Sequence, residues 1–198
     1  MAAYIGALRL EHGRTGRPLN LGRSATADRP YLAVGRPFRS PATRSQVLAS
    51  CLACELTSGD RELPGGRVHS GQHWVVEHCV GPLGVGTLLV KPLRHCLAVG
   101  DLTADEATEL GPLLARASAC VQQIAEAEQV YVCLWSHAGW SPCHIHFVVQ
   151  PSWGHLREHY SGPGPTLQSE QFRANEAPPR AGVEAFCDKA RQWPGWAS

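Results

Sequence analysis

The chain has 198 residues, of which 43% are hydrophobic and 18% are charged, so it is long enough for one domain with an ordinary apolar core, and global disorder is excluded. Its formal net charge of +1 predicts no overall electrostatic attraction to nucleic acid or to an anionic membrane. No apolar run approaches the roughly 20 residues of a membrane helix, so neither a membrane nor a nucleic-acid partner is expected.

The first residues show no basic segment followed by an apolar one, so a secretory signal is not expected and we predict a cytoplasmic protein. In that setting the eight cysteines are predicted to be thiols or metal ligands rather than a disulfide framework.

The N-terminal quarter differs in composition from the rest of the chain. Residues 1–50 carry eight arginines against Glu11 and Asp28, and they are rich in glycine, proline, serine and threonine. Poor periodicity predicts a flexible extension over residues 1–45, and the alternative is an arm that binds an acidic partner. We place one domain at 46–155 and a C-terminal extension with a short helix at 156–198.

Strands are predicted at residues 74–76 and 87–90, with glycine and proline between them. A long helix follows, because Thr103 and Glu106 have the spacing of a capping box and the apolar residues beyond them recur at helical spacing. That apolar stripe consists of Leu110, Leu113, Leu114, Ala117, Val121 and Ile124. The Gly111-Pro112 pair is expected to kink or split this helix.

Two further strands are predicted at residues 130–135 and 143–149, followed by a short C-terminal helix at 183–191. Alternation along the second strand puts Ile145, Phe147 and Val149 on one face and His144, His146 and Val148 on the other. Strands, then a helix, then hairpin strands predict an α+β fold with an antiparallel sheet and the helix on one side.

Cys51 and Cys54 form a C-x-x-C motif, whose two sulfurs can bind one zinc ion from a single turn. A redox pair or two incidental cysteines are the alternatives, although no βαβ pattern surrounds the motif. A tetrahedral site needs two more ligands. His144 is a good candidate among the ten histidines, but spacing alone cannot choose among them.

The His144-Ile145-His146 segment puts two imidazoles on one strand face, about 7 Å apart. Such a pair suits shared metal ligation, or one metal ligand beside one nucleophile, since a neutral histidine can attack phosphorus when its other nitrogen is held. Two ordinary histidines on a partly exposed face are the alternative. The preceding loop, which contains His137, Gly139 and Ser141, could offer backbone N–H groups and a hydroxyl to an anion, and this favours a phosphate-handling site.

These residues resemble the histidine-triad (HIT) superfamily, whose signature alternates three histidines with apolar residues. Four separate segments carry the resemblance in the family's order, over roughly residues 51–151: Cys51 to Cys54, Gly86 to His95, Asp101 to Thr103, and His144 to Pro151. The chain is similar to the zinc-bearing branch, with an H-x-H-x-V variant of the triad, and distantly to galactose-1-phosphate uridylyltransferases.

The resemblance implies a structural Zn²⁺ held by Cys51, Cys54, His95 and His144. It also implies that His146 is the nucleophile, which would attack an α-phosphate to form a nucleotidyl-histidine. The catalytic residues would then be His146 and Ser141, and the phosphate-binding residues Gly139, Ser141 and His137. The family's fold is an antiparallel sheet with a packed long helix, usually in a homodimer, and the partner is a small-molecule nucleotide.

Three positions depart from the family's pattern. Val148 stands where the third histidine would hydrogen-bond phosphate oxygens, and loss of such a donor costs roughly 2.7–4 kcal/mol of transition-state stabilisation. Trp140 precedes Ser141 where hydrolytic members often have glutamine, and Cys79 aligns with the acidic residue that binds the ribose hydroxyls. These departures argue against a simple dinucleoside-polyphosphate hydrolase.

The first hypothesis is therefore a HIT-like nucleotide hydrolase (phosphoramidase or dinucleoside-polyphosphate hydrolase) or nucleotidyltransferase that works through His146. The second is a catalytically weak nucleotide- or phosphate-binding module with an architectural zinc. The third is an interaction protein that binds its partner through the arginine-rich arm.

Overall fold

The structure, a computed structural model, describes residues 51–135 and 144–197. One five-stranded antiparallel sheet has the strand order β1-β2-β3-β5-β4. Its strands are β1 (Arg67–Ser70), β2 (Trp74–His78), β3 (Leu88–Pro92), β4 (Gln129–Trp135) and β5 (His146–Ser152). The helices are α1 (Leu52–Ser58), α2 (Ala104–Ile124), α3 (Gly154–His159), α4 (Pro165–Ala174) and α5 (Arg180–Arg191), with 3₁₀ turns at Val99–Asp101 and Pro194–Ala197. The predicted α+β class, with its antiparallel sheet, long helix and short C-terminal helix, is confirmed.

The main core lies between one face of the sheet and the helices α2 and α5. Apolar side chains alternate along β2, β3 and β5, so every second residue reaches this core. Its buried members include Trp74, Val76, Leu88, Val90, Leu113, Val121, Val149 and Phe186. Val148, the neighbour of Val149, lies instead in a second apolar cluster with Cys79 and Leu83. The predicted alternation of faces along β5 is therefore confirmed.

Helix α2 begins at the predicted capping box. The Glu106 N–H donates to Thr103 Oγ1 at 3.3 Å, and the Thr103 N–H donates to Glu106 Oε2 at 2.8 Å. Gly111-Pro112 was expected to kink or split this helix, and it does not split it, because α2 continues through both residues. Proline removes one donor toward the carbonyl of Thr108, but this turn is exposed, so water can satisfy that oxygen.

The C-terminal segment contains more helix than the sequence pattern indicates. Helix α5 begins three residues before the predicted 183–191, and α3 and α4 were not predicted at all. Val183, Phe186 and Cys187 of α5 are buried in the same core as α2. Residues beyond 156 therefore contribute to the core of this domain, whereas the predicted extension at 1–45 lies outside the described residues.

None of the helices in the described ranges is both long enough and apolar enough to cross a membrane.

Candidate metal centre and histidine strand

Four predicted metal ligands come together at one end of the sheet. Cys51 caps the N-terminus of α1 and Cys54 lies in its first turn, so the short helix turns both sulfurs toward the same point. His95 follows β3, and His144 lies just before β5. The backbone N–H of Ile145 donates to the carbonyl of Cys96 at 2.9 Å, which joins the two histidine-bearing segments.

The ligand atoms of these four residues all lie within 4.8 Å of one another. Cys54 Sγ is 3.2 Å from His95 Nδ1 and 3.5 Å from His144 Nδ1, and Cys51 Sγ is 4.0 Å from His144 Nδ1. A tetrahedral zinc ion with ordinary Zn–S and Zn–N bonds separates its sulfur and nitrogen ligands by about 3.6 Å. The donor set and its spacing fit such an ion.

His144 is oriented for ligation by its second ring nitrogen. Nε2 lies 3.0 Å from the carbonyl oxygen of Pro92, which can only accept, so Nε2 carries the proton and Nδ1 presents its lone pair to the sulfurs. Burial, together with the nearby His95 and Lys91, lowers the pKa of His144 to about 4. The imidazole is therefore neutral near pH 7, as a metal ligand must be.

A buried ion pair supports the cysteine turn. Lys91 Nζ lies 2.6 Å from Glu77 Oε2, and both side chains are 1% exposed. The same ammonium donates to the carbonyl of Ala53, inside the C-x-x-C turn, at 2.7 Å. Burial lowers the pKa of Lys91, whereas Glu77 and the two cysteines oppose that shift. Sequence reasoning missed this pair, although two charged residues of opposite sign inside neighbouring apolar strands were the available signal.

His146, the predicted nucleophile, opens β5 and is 8% exposed. Its Nδ1 lies 2.9 Å from the carbonyl oxygen of His144 and must donate to it. This bond assigns the proton to Nδ1 and leaves the lone pair on Nε2. The backbone of one metal-site residue thus fixes the tautomer and the ring orientation of His146.

The remaining predicted site residues divide into two groups. Ser141, Gly139, His137 and Trp140 lie outside the described residues. Val148 and Cys79, two of the three departures from the family's pattern, are 1% and 7% exposed and share one apolar cluster with Leu83. Burial raises the pKa of the Cys79 thiol to about 11, so this side chain is a neutral packing group.

His78 has a structural task that the sequence did not reveal. Its Nδ1 donates to the carbonyl of Cys79 at 2.8 Å, and its Nε2 accepts from the N–H of Gly86 at 2.9 Å. Burial lowers the pKa of His78, which keeps the ring neutral and able to accept that bond. The ring thereby fixes the glycine-rich turn between β2 and β3, beside the Val148 cluster.

No protein-family model matches the chain, and no curated protein matches it by sequence. Solved structures do match it. A Hit-like protein involved in cell-cycle regulation from Bartonella henselae has 16% identity and a TM-score of 0.55, covering 70% of this chain and 91% of its own. A hypothetical histidine triad nucleotide-binding protein from Sulfolobus tokodaii has 18% identity and a TM-score of 0.54, covering 72% and 90%.

A zinc-bound histidine triad family protein from Mycobacterium smegmatis has 16% identity and a TM-score of 0.50, covering 73% of this chain and 97% of its own. At these identities the likeness concerns the fold. The chain has the histidine-triad fold.

Proposed function

We propose that the protein is a HIT-like nucleotide hydrolase or nucleotidyltransferase that acts at an α-phosphate through a covalent nucleotidyl-His146 intermediate. The observation that carries this proposal is the 2.9 Å bond from His146 Nδ1 to the carbonyl of His144, which makes Nε2 the nucleophilic nitrogen. The likeness to a histidine triad nucleotide-binding protein supports a nucleotide as the substrate.

The reaction proceeds in two steps. His146 Nε2 donates its lone pair to the α-phosphorus, and the bond from phosphorus to the leaving group breaks. The leaving group departs with the electron pair of the broken bond and takes up a proton. Water or another acceptor then attacks the same phosphorus and loses a proton, and the P–N bond breaks to return the lone pair to Nε2. Ser141, Gly139 and His137 are proposed to contact the phosphate and the leaving group.

Zn²⁺ is the proposed structural ion of the cluster formed by Cys51, Cys54, His95 and His144. When bound, it would tie the cysteine turn to the histidine strand and supply no group to the reaction. The thiols and imidazoles of a closed Cys₂His₂ set fill all four tetrahedral positions, which is typical of structural sites. Through the carbonyl of His144, this arrangement holds His146 in place.

A catalytically weak nucleotide-binding module is the second candidate, and the burial of Val148 favours it. At 1% exposure in an apolar cluster, this side chain offers no donor to a phosphate oxygen. Such a module would show ligand-dependent thermal stabilisation without turnover. That stabilisation would survive the loss of the His146 imidazole.

A homodimer is the proposed assembly, in the cytoplasm. Strand β4 is at the edge of the sheet, and its Val132 and Leu134 side chains are 43% and 45% exposed. An edge strand with exposed apolar residues is suited to pairing with a second chain. Light scattering should give twice the 21.4 kDa mass of one chain, and a monomer at micromolar concentration would contradict this assembly.

Turnover of a panel of nucleoside phosphoramidates, dinucleoside polyphosphates and nucleotide sugars tests the proposed reaction. His146→Ala should abolish turnover while leaving metal content and melting temperature unchanged. The matched control is His155→Ala, which changes an exposed histidine beyond the sheet. Full activity in the His146 variant would disprove the mechanism.

A further inference from the structure

Helix α4 lies against the same face of the sheet as His146. Trp135 of β4 is the direct cross-strand partner of His146 in β5, and directly opposed residues project to the same face. The indole Nε1 of Trp135 donates to Gln168 Oε1 of α4 at 2.8 Å. Gln150, four residues after His146 on the same face, donates to Gln171 of α4. Two hydrogen bonds thus attach α4 beside the nucleophile.

Phe172 of α4 extends this contact with an aromatic ring. Its ring centroid lies 5.0 Å from that of Trp135, with 33° between the planes. A methyl group at Gly81 would lie 3.4 Å from both the Phe172 ring and Cys79 Sγ, so the ring also reaches the glycine-rich turn. Helix α4 therefore lies beside the cluster formed by Cys79, Leu83 and Val148.

Two of the three departures from the family's pattern lie in this cluster. The positions that would bind ribose and phosphate oxygens, Cys79 and Val148, are interior packing positions in this chain. A charged phosphate placed against them would be desolvated with no compensating donor from this cluster. A substrate bound at His146 is therefore expected to contact the α4 side of the site through residues other than Cys79 and Val148.

Phe172 is an exposed residue on the side of the site that α4 forms. It is 40% exposed although its ring packs, tilted, against that of Trp135, so one part of the ring is supported and another is open. An aromatic ring held against Trp135, the cross-strand partner of the nucleophile, is a stacking platform for a planar group, and such stacking strengthens binding about tenfold. The hydrogen bonds that Trp135 and Gln150 donate to α4 fix the platform in place.

We infer that Phe172 of α4 is a specificity-determining residue, which stacks on a planar aromatic ring carried by the substrate of His146. The inference rests on the proposed binding of a nucleotide derivative at this face. The ring belongs either to the nucleobase or to an aromatic leaving group on the α-phosphate, and the chemistry of stacking is the same for both.

Binding of three probes to full-length protein with His146→Ala distinguishes these sources, because no probe is turned over in that background. The first probe is adenosine 5′-phosphoramidate with an indolylethylamine leaving group, the second its ammonia counterpart, and the third the indolylethylamine phosphoramidate of ribose without a base. If Phe172 stacks on the nucleobase, adding Phe172→Ala should raise Kd about tenfold for the first and second probes and leave the third unchanged. If Phe172 stacks on the leaving group, Kd should rise about tenfold for the first and third probes and stay unchanged for the second. Phe172→Tyr should preserve the affinities.

Val99→Ala, at a 44% exposed apolar residue of the 3₁₀ turn after β3, is the matched control and should change no affinity. Equal changes for all three probes, no change for any, or no binding by the His146→Ala protein would overturn the inference. If Phe172 controls binding but wild-type protein forms no nucleotidyl-His146, the proposed chemistry fails and the stacking site stands.

Discussion

Replacing Lys91 by methionine is expected to destabilise the protein more than replacing Lys91 and Glu77 together. The two side chains form an ion pair at 2.6 Å with 1% exposure each, and Glu77 Oε1 has no hydrogen-bond partner within the described residues. The ammonium therefore compensates most of the buried negative charge. It also donates to the carbonyl of Ala53, between the two cysteines.

The structure sets the magnitudes. Lys91→Met leaves a buried carboxylate without its counter-charge, which costs about 3–5 kcal/mol. It also leaves the Ala53 carbonyl without its donor, which costs about 1–3 kcal/mol. Lys91→Met combined with Glu77→Leu removes both charges and retains only the second cost. The double variant should therefore be more stable than the single one by about 3–5 kcal/mol.

Urea denaturation of the zinc-loaded proteins measures these differences, and competition with a chromogenic chelator measures zinc affinity. Because Ala53 lies inside the C-x-x-C turn, both variants should bind zinc about 10–100-fold more weakly than wild type. Unchanged stability in Lys91→Met, or a double variant as unstable as the single one, would refute the reasoning.

Three further predictions concern the triad position, the helix cap and the metal. Val148→His should not restore a triad but lower the free energy of unfolding by about 1–3 kcal/mol in urea denaturation, because the site is apolar and 1% exposed. A variant that gains turnover without losing stability would contradict this. Hydrogen bonding from Arg94 lowers the pKa of Glu106 from 4.5 to about 2, so this pair stabilises the fold above pH 4.5 and the contribution is lost as pH falls toward 2. Melting curves of Glu106→Gln should depend less on pH in that window, and parallel curves would count against the pair. Cys54→Ser should lose bound zinc by elemental analysis while Cys133→Ser keeps one ion per chain, and equal zinc content in both would exclude the assigned cluster.

The sequence predicted the elements whose periodicity and caps are strong. Alternation over residues 143–149 predicted a strand with two chemically different faces, and the Thr103–Glu106 spacing predicted the start of α2. The C-x-x-C turn and His144 were already candidates for one zinc site, and only the resemblance to a known family added His95 as the fourth ligand. The two segments come together only in the tertiary structure, because 92 residues lie between Cys51 and His144 and no local sequence pattern relates them.

Other features depend on tertiary contacts that a pattern does not encode. Gly111-Pro112 was expected to kink or split α2, but the helix continues through this exposed turn while its apolar stripe packs in the core. Helix α4 has little amphipathic signal, because glutamine side chains make its contacts with the sheet, through Trp135 and Gln150. The Lys91–Glu77 pair could have been suspected from charges inside apolar strands, but only the fold shows that it reaches the cysteine turn.

The most direct test of the central claim is intact-mass spectrometry of the zinc-loaded protein, kept mildly alkaline to protect the P–N bond. After incubation with nucleoside phosphoramidates and dinucleoside polyphosphates, the account predicts one nucleotidyl adduct, mapped by fragmentation to His146 and missing from His146→Ala. Folded, zinc-bound protein that consumes substrate without an adduct at His146, or that carries the adduct on another residue, would contradict it.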